Sequence, residues 1–244
     1  MARLRSHGTI RAYHQEIYHL WCGAGTELNQ RVGLLGGTFD PIHNGHLQIA
    51  EIAKNFCDLR EVMFIPAAVP PHKNGKAVAS FNHRANMIQL ALDGRPELKL
   101  STIEASLPEP SYTIDTLRYL DSHTTVATDF FFIIGADAFL EITTWKLYKQ
   151  VLESTHFVVL ARTGSASCKV KDLIKTLGYE PDDSLQIWAH PLLQKKIFFP
   201  RVPLTPFANL SSSQIRQDLK DTMPVEGIVP AVVLNYIQAQ GLYV

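Results

Sequence analysis

The feature that most constrains this 244-residue chain is the stretch from Val32 to Leu47, which reads Val-Gly-Leu-Leu-Gly-Gly-Thr-Phe-Asp-Pro-Ile-His-Asn-Gly-His-Leu. A short apolar run ends in two glycines, a turn carries Asp40 and Pro41, and His43 and His46 open an amphipathic segment. That order describes a strand, a tight loop and the start of a helix. Such a loop turns bare backbone N–H groups outward beside the positive end of a helix dipole, where a phosphate is favoured. Gly36 and Gly37 read as turn glycines that tolerate positive φ. The two histidines stand three residues apart in the expected first turn, on neighbouring surface positions. Two imidazoles could also bind a metal, but no third ligand stands close by in sequence, and phosphate contact fits better. The stretch reads as a nucleotide-phosphate cradle.

From Arg31 onward, short β-branched or aromatic runs alternate with segments of helical period. The expected strands are Val32 to Leu35, Glu61 to Pro66, Leu98 to Ile103, Phe130 to Ile134, Phe157 to Ala161 and Lys195 to Val202. Several are apolar on consecutive positions, the pattern of strands covered by helices on both faces. The expectation is an α/β fold, a Rossmann-like doubly wound parallel sheet with helices on both faces in a single domain. Leu47, Ala50, Ala53 and Cys57 mark one helix face, and Met87, Ile88, Ala91 and Leu92 mark a second that ends near Gly94. A third helix starts around Ser111 to Thr113 and carries Ile114, Leu117 and Leu120. Val170 to Leu177 has helical spacing with Gly178 as its stop. Ser211 to Ser213 offer hydroxyl caps for a helix through Leu219, and Pro230 opens a last helix closed by Gly241.

Composition narrows the partners. Lysine plus arginine, 23 in all, balances 23 aspartates and glutamates, so no global field draws the chain to nucleic acid or to an anionic membrane. The longest apolar run, Phe130 to Ile134, is far short of the roughly 20 residues a membrane span needs. Cys22, Cys57 and Cys168 are widely spaced, odd in number and without a C-x-x-C pair, which suggests neither a disulfide framework nor a zinc site and fits the cytoplasm. Residues 1–30 mix Arg3, Arg5 and Arg11 with His7, His14 and His19. Their apolar run, Ile17 to Cys22, is too short for a signal-peptide core. They read as a mobile extension or one surface helix ahead of a domain spanning residues 31–244. The oligomeric state is left open.

Other stretches carry chemistry more weakly. Pro66 to Ala79 is too proline-rich and glycine-broken for a helix and should be a loop at the carboxyl edge of the sheet, where open α/β sheets bind ligands. Lys73 would meet an anion there, or stand as a solvated loop lysine. Gly135-Ala136-Asp137 closes the apolar fourth strand and places Asp137 at the same edge, where it could also cap a helix over Ala138 to Ile142. Trp145 taken alone would be core packing.

Taken together, the blocks resemble a known family. Gly36-Gly37-Thr38-Phe39-Asp40-Pro41-Ile42-His43-Asn44-Gly45-His46 resembles the H-x-G-H signature of the nucleotidyltransferase superfamily and, within it, bacterial nicotinate-nucleotide adenylyltransferase. Pro70-Pro71-His72-Lys73, Ser111-Tyr112-Thr113-Ile114-Asp115-Thr116-Leu117, Phe132-Ile133-Ile134-Gly135-Ala136-Asp137, Trp145, Arg162, Leu210-Ser211-Ser212-Ser213-Gln214-Ile215-Arg216 and Tyr236-Ile237 through Gly241-Leu242-Tyr243 are similar to that family's blocks in its order. The resemblance covers residues 31–244. It departs at Leu210-Ser211-Ser212-Ser213, where the family usually has Ile-Ser-Ser-Thr, yet a hydroxyl stands at every polar position.

The resemblance implies transfer of AMP from ATP to nicotinate mononucleotide, with pyrophosphate leaving and nicotinate adenine dinucleotide formed. The attacking phosphate has a second pKa near ~6 and is largely ionised at neutral pH, so neither a general base nor a covalent nucleophile is required. What remains is to hold two polyanions in line and neutralise moving charge. His43, His46 and Arg216 are the implied catalytic groups. Gly37, Thr38 and Phe39 would bind ATP through backbone N–H groups, Ser212 and Ser213 through hydroxyls, and Gly135 and Asp137 at the adenosine, with Asp137 on the ribose. Trp145 would stack on the nicotinate ring, Thr113 would receive its carboxylate, and Lys73 would join that second site. Mg²⁺ should accompany ATP without dedicated protein ligands. Pantetheine-phosphate adenylyltransferases and cytidylyltransferases share a comparable cradle, but the Ser-Tyr-Thr block, Trp145 and the closing Gly-Leu-Tyr point away from them. A nucleotide-binding sensor without turnover would be marked by loss of a histidine or of the late arginine, and His43, His46 and Arg216 are all present.

Overall fold

The chain is described by a computed structural model over residues 29–69, 79–161, 164–201 and 210–244. Among the described residues eight strands form one sheet: β1 (Gln30–Gly37), β2 (Glu61–Pro66), β3 (Leu98–Leu100), β4 (Thr128–Gly135), β5 (His156–Leu160), β6 (Glu180–Pro181), β7 (Ile187–Ala189) and β8 (Ile197–Phe198). Their order is β3-β2-β1-β4-β5-β8-β7-β6. Neighbours from β3 through β8 run parallel, whereas β7 and β6 close the far edge antiparallel. The helices are α1 (Asn44–Cys57), α2 (Phe81–Leu92), α3 (Thr113–His123), α4 (Ala136–Leu140), α5 (Tyr148–Ser154), α6 (Gly164–Thr176), α7 (Ser212–Lys220) and α8 (Ala231–Ala239).

Consecutive apolar residues are explained by two cores, one on each face of the sheet. In β4, Phe131 and Ile133 face a core shared with Leu47 and Ala50 of α1, Met87 of α2 and Val233 of α8. Phe130 and Ile134 face the opposite core with Leu117 of α3, Phe139 of α4, Val151 of α5 and Ile174 of α6. Strand β5 divides in the same way, Val158 to the first core and Phe157 to the second. Full burial of each such side chain contributes roughly 1.5–3 kcal/mol, so neither face could be left bare. The expected doubly wound α/β sheet is the fold observed, with an antiparallel edge added.

The departures are local. The strand expected over Leu98 to Ile103 stops at Leu100, because Ile103–Ser106 forms a 3-10 turn. Of Lys195 to Val202, only Ile197–Phe198 pairs among the described residues. Strands β6 and β7, two and three residues long, are too short to show a period in sequence, and α5 was not anticipated. Residues 1–28 lie outside the described residues. Among those described, no helix is long and apolar enough to cross a membrane. The strand order reverses between β1 and β4, and the crevice at their carboxyl ends is where a fold of this kind binds ligands.

Candidate active site

Strand β1 delivers the loop through Gly36 and Gly37, and neither glycine has positive φ. The left-handed residue is Phe39, at φ 51°. Its ring is 1% exposed, packs on Phe64 at 5.7 Å and meets His46 edge-on at 4.9 Å. Left-handed backbone costs an L-residue about 1–2 kcal/mol, a cost that burying an aromatic ring can offset. Glycine at position 37 lets the Phe39 ring sit close, since a Cβ there would stand 3.1 Å from it and press the ring back by a few tenths of an ångström. The reading of the pair as positive-φ turn glycines is thereby corrected.

The two histidines differ more than their spacing suggests. His43 is the N-cap of α1, outside the first turn, with extended backbone and only 3% exposure. It is not a surface residue. Its ring stacks on that of His46 at 3.7 Å, and its backbone N–H donates to His46 Nδ1 at 3.3 Å. A neutral imidazole that accepts at Nδ1 carries its proton on Nε2, so His46 has a defined donor nitrogen. His46 is the histidine that lines the cleft.

Beneath the loop lies Arg84, 2% exposed, which sequence reasoning missed. It donates to the carbonyls of Thr38 (2.9 Å), Ala67 (2.8 Å), Ala79 (3.0 Å) and Ala68 (3.3 Å). Burial lowers its pKa, and the nearby Asp40 carboxylate opposes that shift. Helix α7 docks on the same loop from the other side. Ser211 caps that helix, its Oγ accepting from the Gln214 N–H at 3.2 Å. Ser212 Oγ donates to the Pro41 carbonyl at 3.0 Å. Arg216 donates to the Asp40 carbonyl at 2.8 Å and to Ser213 Oγ at 3.3 Å, and its guanidinium lies 3.5 Å from the buried Asp40 carboxylate. The serine run and the first motif, 171 residues apart between Pro41 and Ser212, are in direct contact.

Between the ends of β1 and β4 opens a cleft of about 350 Å³ whose walls include Gly37, His46, Glu104, Thr113, Gly135 and Trp145. Gly135 is the N-cap of α4, and a Cβ there would meet no atom within 4 Å, so its hydrogen leaves space in the cleft. Trp145 is half-buried, packing edge-on against Phe132 at 5.8 Å. Beside it, Lys146 Nζ lies 2.9 Å from Asp115 and 4.4 Å above the Tyr112 ring. Glu104 accepts from Thr116 Oγ1 at 3.1 Å, and burial raises its pKa.

The structure thus gathers Gly37, His46, Thr113, Gly135 and Trp145 on one cleft and sets Thr38, Phe39, His43, Ser212, Ser213 and Arg216 in the loop and helix beside it. Asp137 is exposed as the second residue of α4. It is not a cap, because the helix starts at Ala136 with Gly135 in that position. Lys73 and Arg162 lie outside the described residues. Arg84 had a signal: it shares the apolar stripe of Met87, Ile88 and Ala91 at helical spacing, and a charge on a core face implies buried partners. Glu104, in a 3-10 turn, had none.

Comparison with known proteins identifies the family. The cytidylyltransferase-like family matches residues 34–218. A Desulfotalea psychrophila protein named as a probable nicotinate-nucleotide adenylyltransferase is 37% identical over 216 residues, covering 88% of this chain and 100% of its own. A protein of the same name from Desulfatibacillum aliphaticivorans is 37% identical over 222 residues, covering 87% and 99%. The structure of Plasmodium falciparum nicotinic acid mononucleotide adenylyltransferase complexed with NaAD superposes with a TM-score of 0.65 at 20% identity, covering 88% of this chain and 98% of that one, a likeness of fold. The chain belongs to the cytidylyltransferase-like family and, within it, to the nicotinate-nucleotide adenylyltransferases.

Proposed function

We infer that this chain transfers AMP from ATP to nicotinate mononucleotide, forming nicotinate adenine dinucleotide and pyrophosphate in NAD biosynthesis. The observation that carries this reading is the cleft itself, with the glycine-histidine loop on one side and Thr113 with Trp145 on the other, in a chain whose relatives bear that enzyme's name. A phosphate oxygen of the mononucleotide attacks the α-phosphorus of ATP, a new P–O bond forms, and the bond to the bridging oxygen of pyrophosphate breaks. The nucleophile is already ionised, so the protein's part is alignment and charge stabilisation.

In this reading His46 donates from Nε2 to the ATP phosphates, with His43 holding its ring by stacking and by the backbone bond to Nδ1. Arg216, Ser212 and Ser213 face the same phosphates from α7, and the backbone of Gly37 to Phe39 adds donors. Gly135 leaves room for the adenosine, and Asp137 serves its ribose. Trp145 and Thr113 receive the nicotinate ring and its carboxylate, and Lys73 adds positive charge there. We propose that Mg²⁺ arrives as the ATP complex. Among the described residues no group of three or more His, Cys, Asp or Glu is placed to hold a metal ion, so no resident site is assigned. A cytoplasmic setting, with neither nucleic acid nor membrane as partner, is proposed from the balanced charge and unpaired cysteine pattern of the sequence.

The test mixes purified protein, ATP, Mg²⁺ and nicotinate mononucleotide and follows pyrophosphate, with the amide nucleotide as comparison. Release with the acid, faster than with the amide, is expected. Silence with both would remove the enzymatic reading.

A further inference from the structure

The tail that follows α8 returns to the phosphate loop. Tyr243 Oη donates to Asp40 Oδ1 at 2.6 Å. The same oxygen accepts the backbone N–H of Ala79 at 3.1 Å, and the carboxylate's other oxygen lies 3.5 Å from Arg216. Asp40 is fully buried, so these groups replace the water a carboxylate would otherwise hold. Tyr243 sits at φ 64°, a left-handed backbone that is unfavourable for an aromatic residue and persists only where surrounding contacts impose it. Its ring packs against the core beneath α1 and α8.

We propose that Tyr243 is a positioning residue for adenylyl transfer, acting through Asp40 on Arg216. The hydroxyl and the Ala79 N–H occupy Oδ1, which leaves Oδ2 to face the guanidinium. With the hydroxyl gone, Oδ1 keeps one donor and the carboxylate turns more of its charge onto Arg216, drawing the fork away from the phosphates and toward the loop. Burial and the Asp40 contact both raise the Tyr243 pKa, so the hydroxyl stays a donor at neutral pH. The inference rests on the reading that Arg216 acts on ATP.

The experiment compares Tyr243→Phe, Arg216→Ala and the double variant with wild type in the full chain, measuring kcat, the KM values for both substrates and the melting temperature. Loss of one hydrogen bond to a charged group should lower kcat by about tenfold. The KM for nicotinate mononucleotide should stay within about twofold, since Thr113 and Trp145 touch none of these atoms. In the Arg216→Ala background the Tyr243→Phe cost should vanish, because the two act in series. Equal costs in both backgrounds, an unimpaired Tyr243→Phe enzyme, or a Tyr243→Phe chain that fails to fold would each overturn the proposal. An inactive wild type, or an Arg216→Ala enzyme as fast as wild type, would instead overturn the underlying reading.

Discussion

The two sides of the cleft are held by different means. Around the phosphate loop, the carbonyls of Thr38, Asp40, Pro41, Ala67, Ala68 and Ala79 each receive a side-chain donor, from Arg84, Arg216 or Ser212. On the ring side, Trp145 rests edge-on against Phe132, and the rim is a half-exposed ion pair between Lys146 and Asp115. The loop that meets the moving charge in the proposed reaction is fixed by half-buried hydrogen bonds before any substrate arrives, as electrostatic preorganisation requires. The side that the proposed function assigns to the nicotinate ring relies on apolar contact, which tolerates adjustment at small cost. Under the proposed function this division separates rate from recognition, and each half can be broken alone.

His46→Ala should give the largest effect, a loss of about 10²–10³ in kcat with little change in the KM for nicotinate mononucleotide, because the contact strengthens as charge reaches pyrophosphate. A rise in that KM matching the fall in kcat would place His46 on the recognition side. Arg84→Met should come next. The half-buried carbonyls of Thr38, Ala67, Ala68 and Ala79 would lose their donor, and urea denaturation should show stability down by about 3 kcal/mol. A variant as stable as wild type would mean that the loop is not held from below.

Trp145→Ala should raise the KM for the mononucleotide by about tenfold with kcat nearly retained, as expected when binding that is equal in ground and transition states is lost. An unchanged KM would remove Trp145 from substrate contact and return it to packing. The smallest effect belongs to Asp115→Ala. Its exposed pairs with Lys146 and Arg118 are worth at most about 1 kcal/mol, so melting should hardly move. A large loss would show the ring side to be as firmly built as the loop.

Much of this was readable in the chain. Strands buried on both faces announce themselves as consecutive apolar residues, so β2 was located residue for residue and β1, β4 and β5 to within about two residues at each end. The residues later found on the cleft wall, among them His46, Thr113 and Trp145, stand in motifs whose order the fold explains. Phe39 was harder, because positive φ is usually sought at glycine, and here a buried ring carries it. His43 looked like the twin of His46 until burial separated them, since spacing cannot tell a cap from a first-turn residue. Arg84 left a mark in its place on an apolar helix stripe, but its partners did not, because they are backbone carbonyls up to 46 residues away, and a carbonyl leaves no mark in a sequence. Asp137 shows the converse, a carboxylate in a suggestive position that the start of α4 at Ala136 leaves exposed.

The most direct test of the division is the double variant His46→Ala with Trp145→Ala, assayed beside both single variants for kcat and for the KM of nicotinate mononucleotide. Independent walls predict a kcat equal to that of His46→Ala and a KM equal to that of Trp145→Ala, with the free-energy costs adding to within about 0.5 kcal/mol. A kcat in Trp145→Ala alone that falls as far as in His46→Ala would contradict the account.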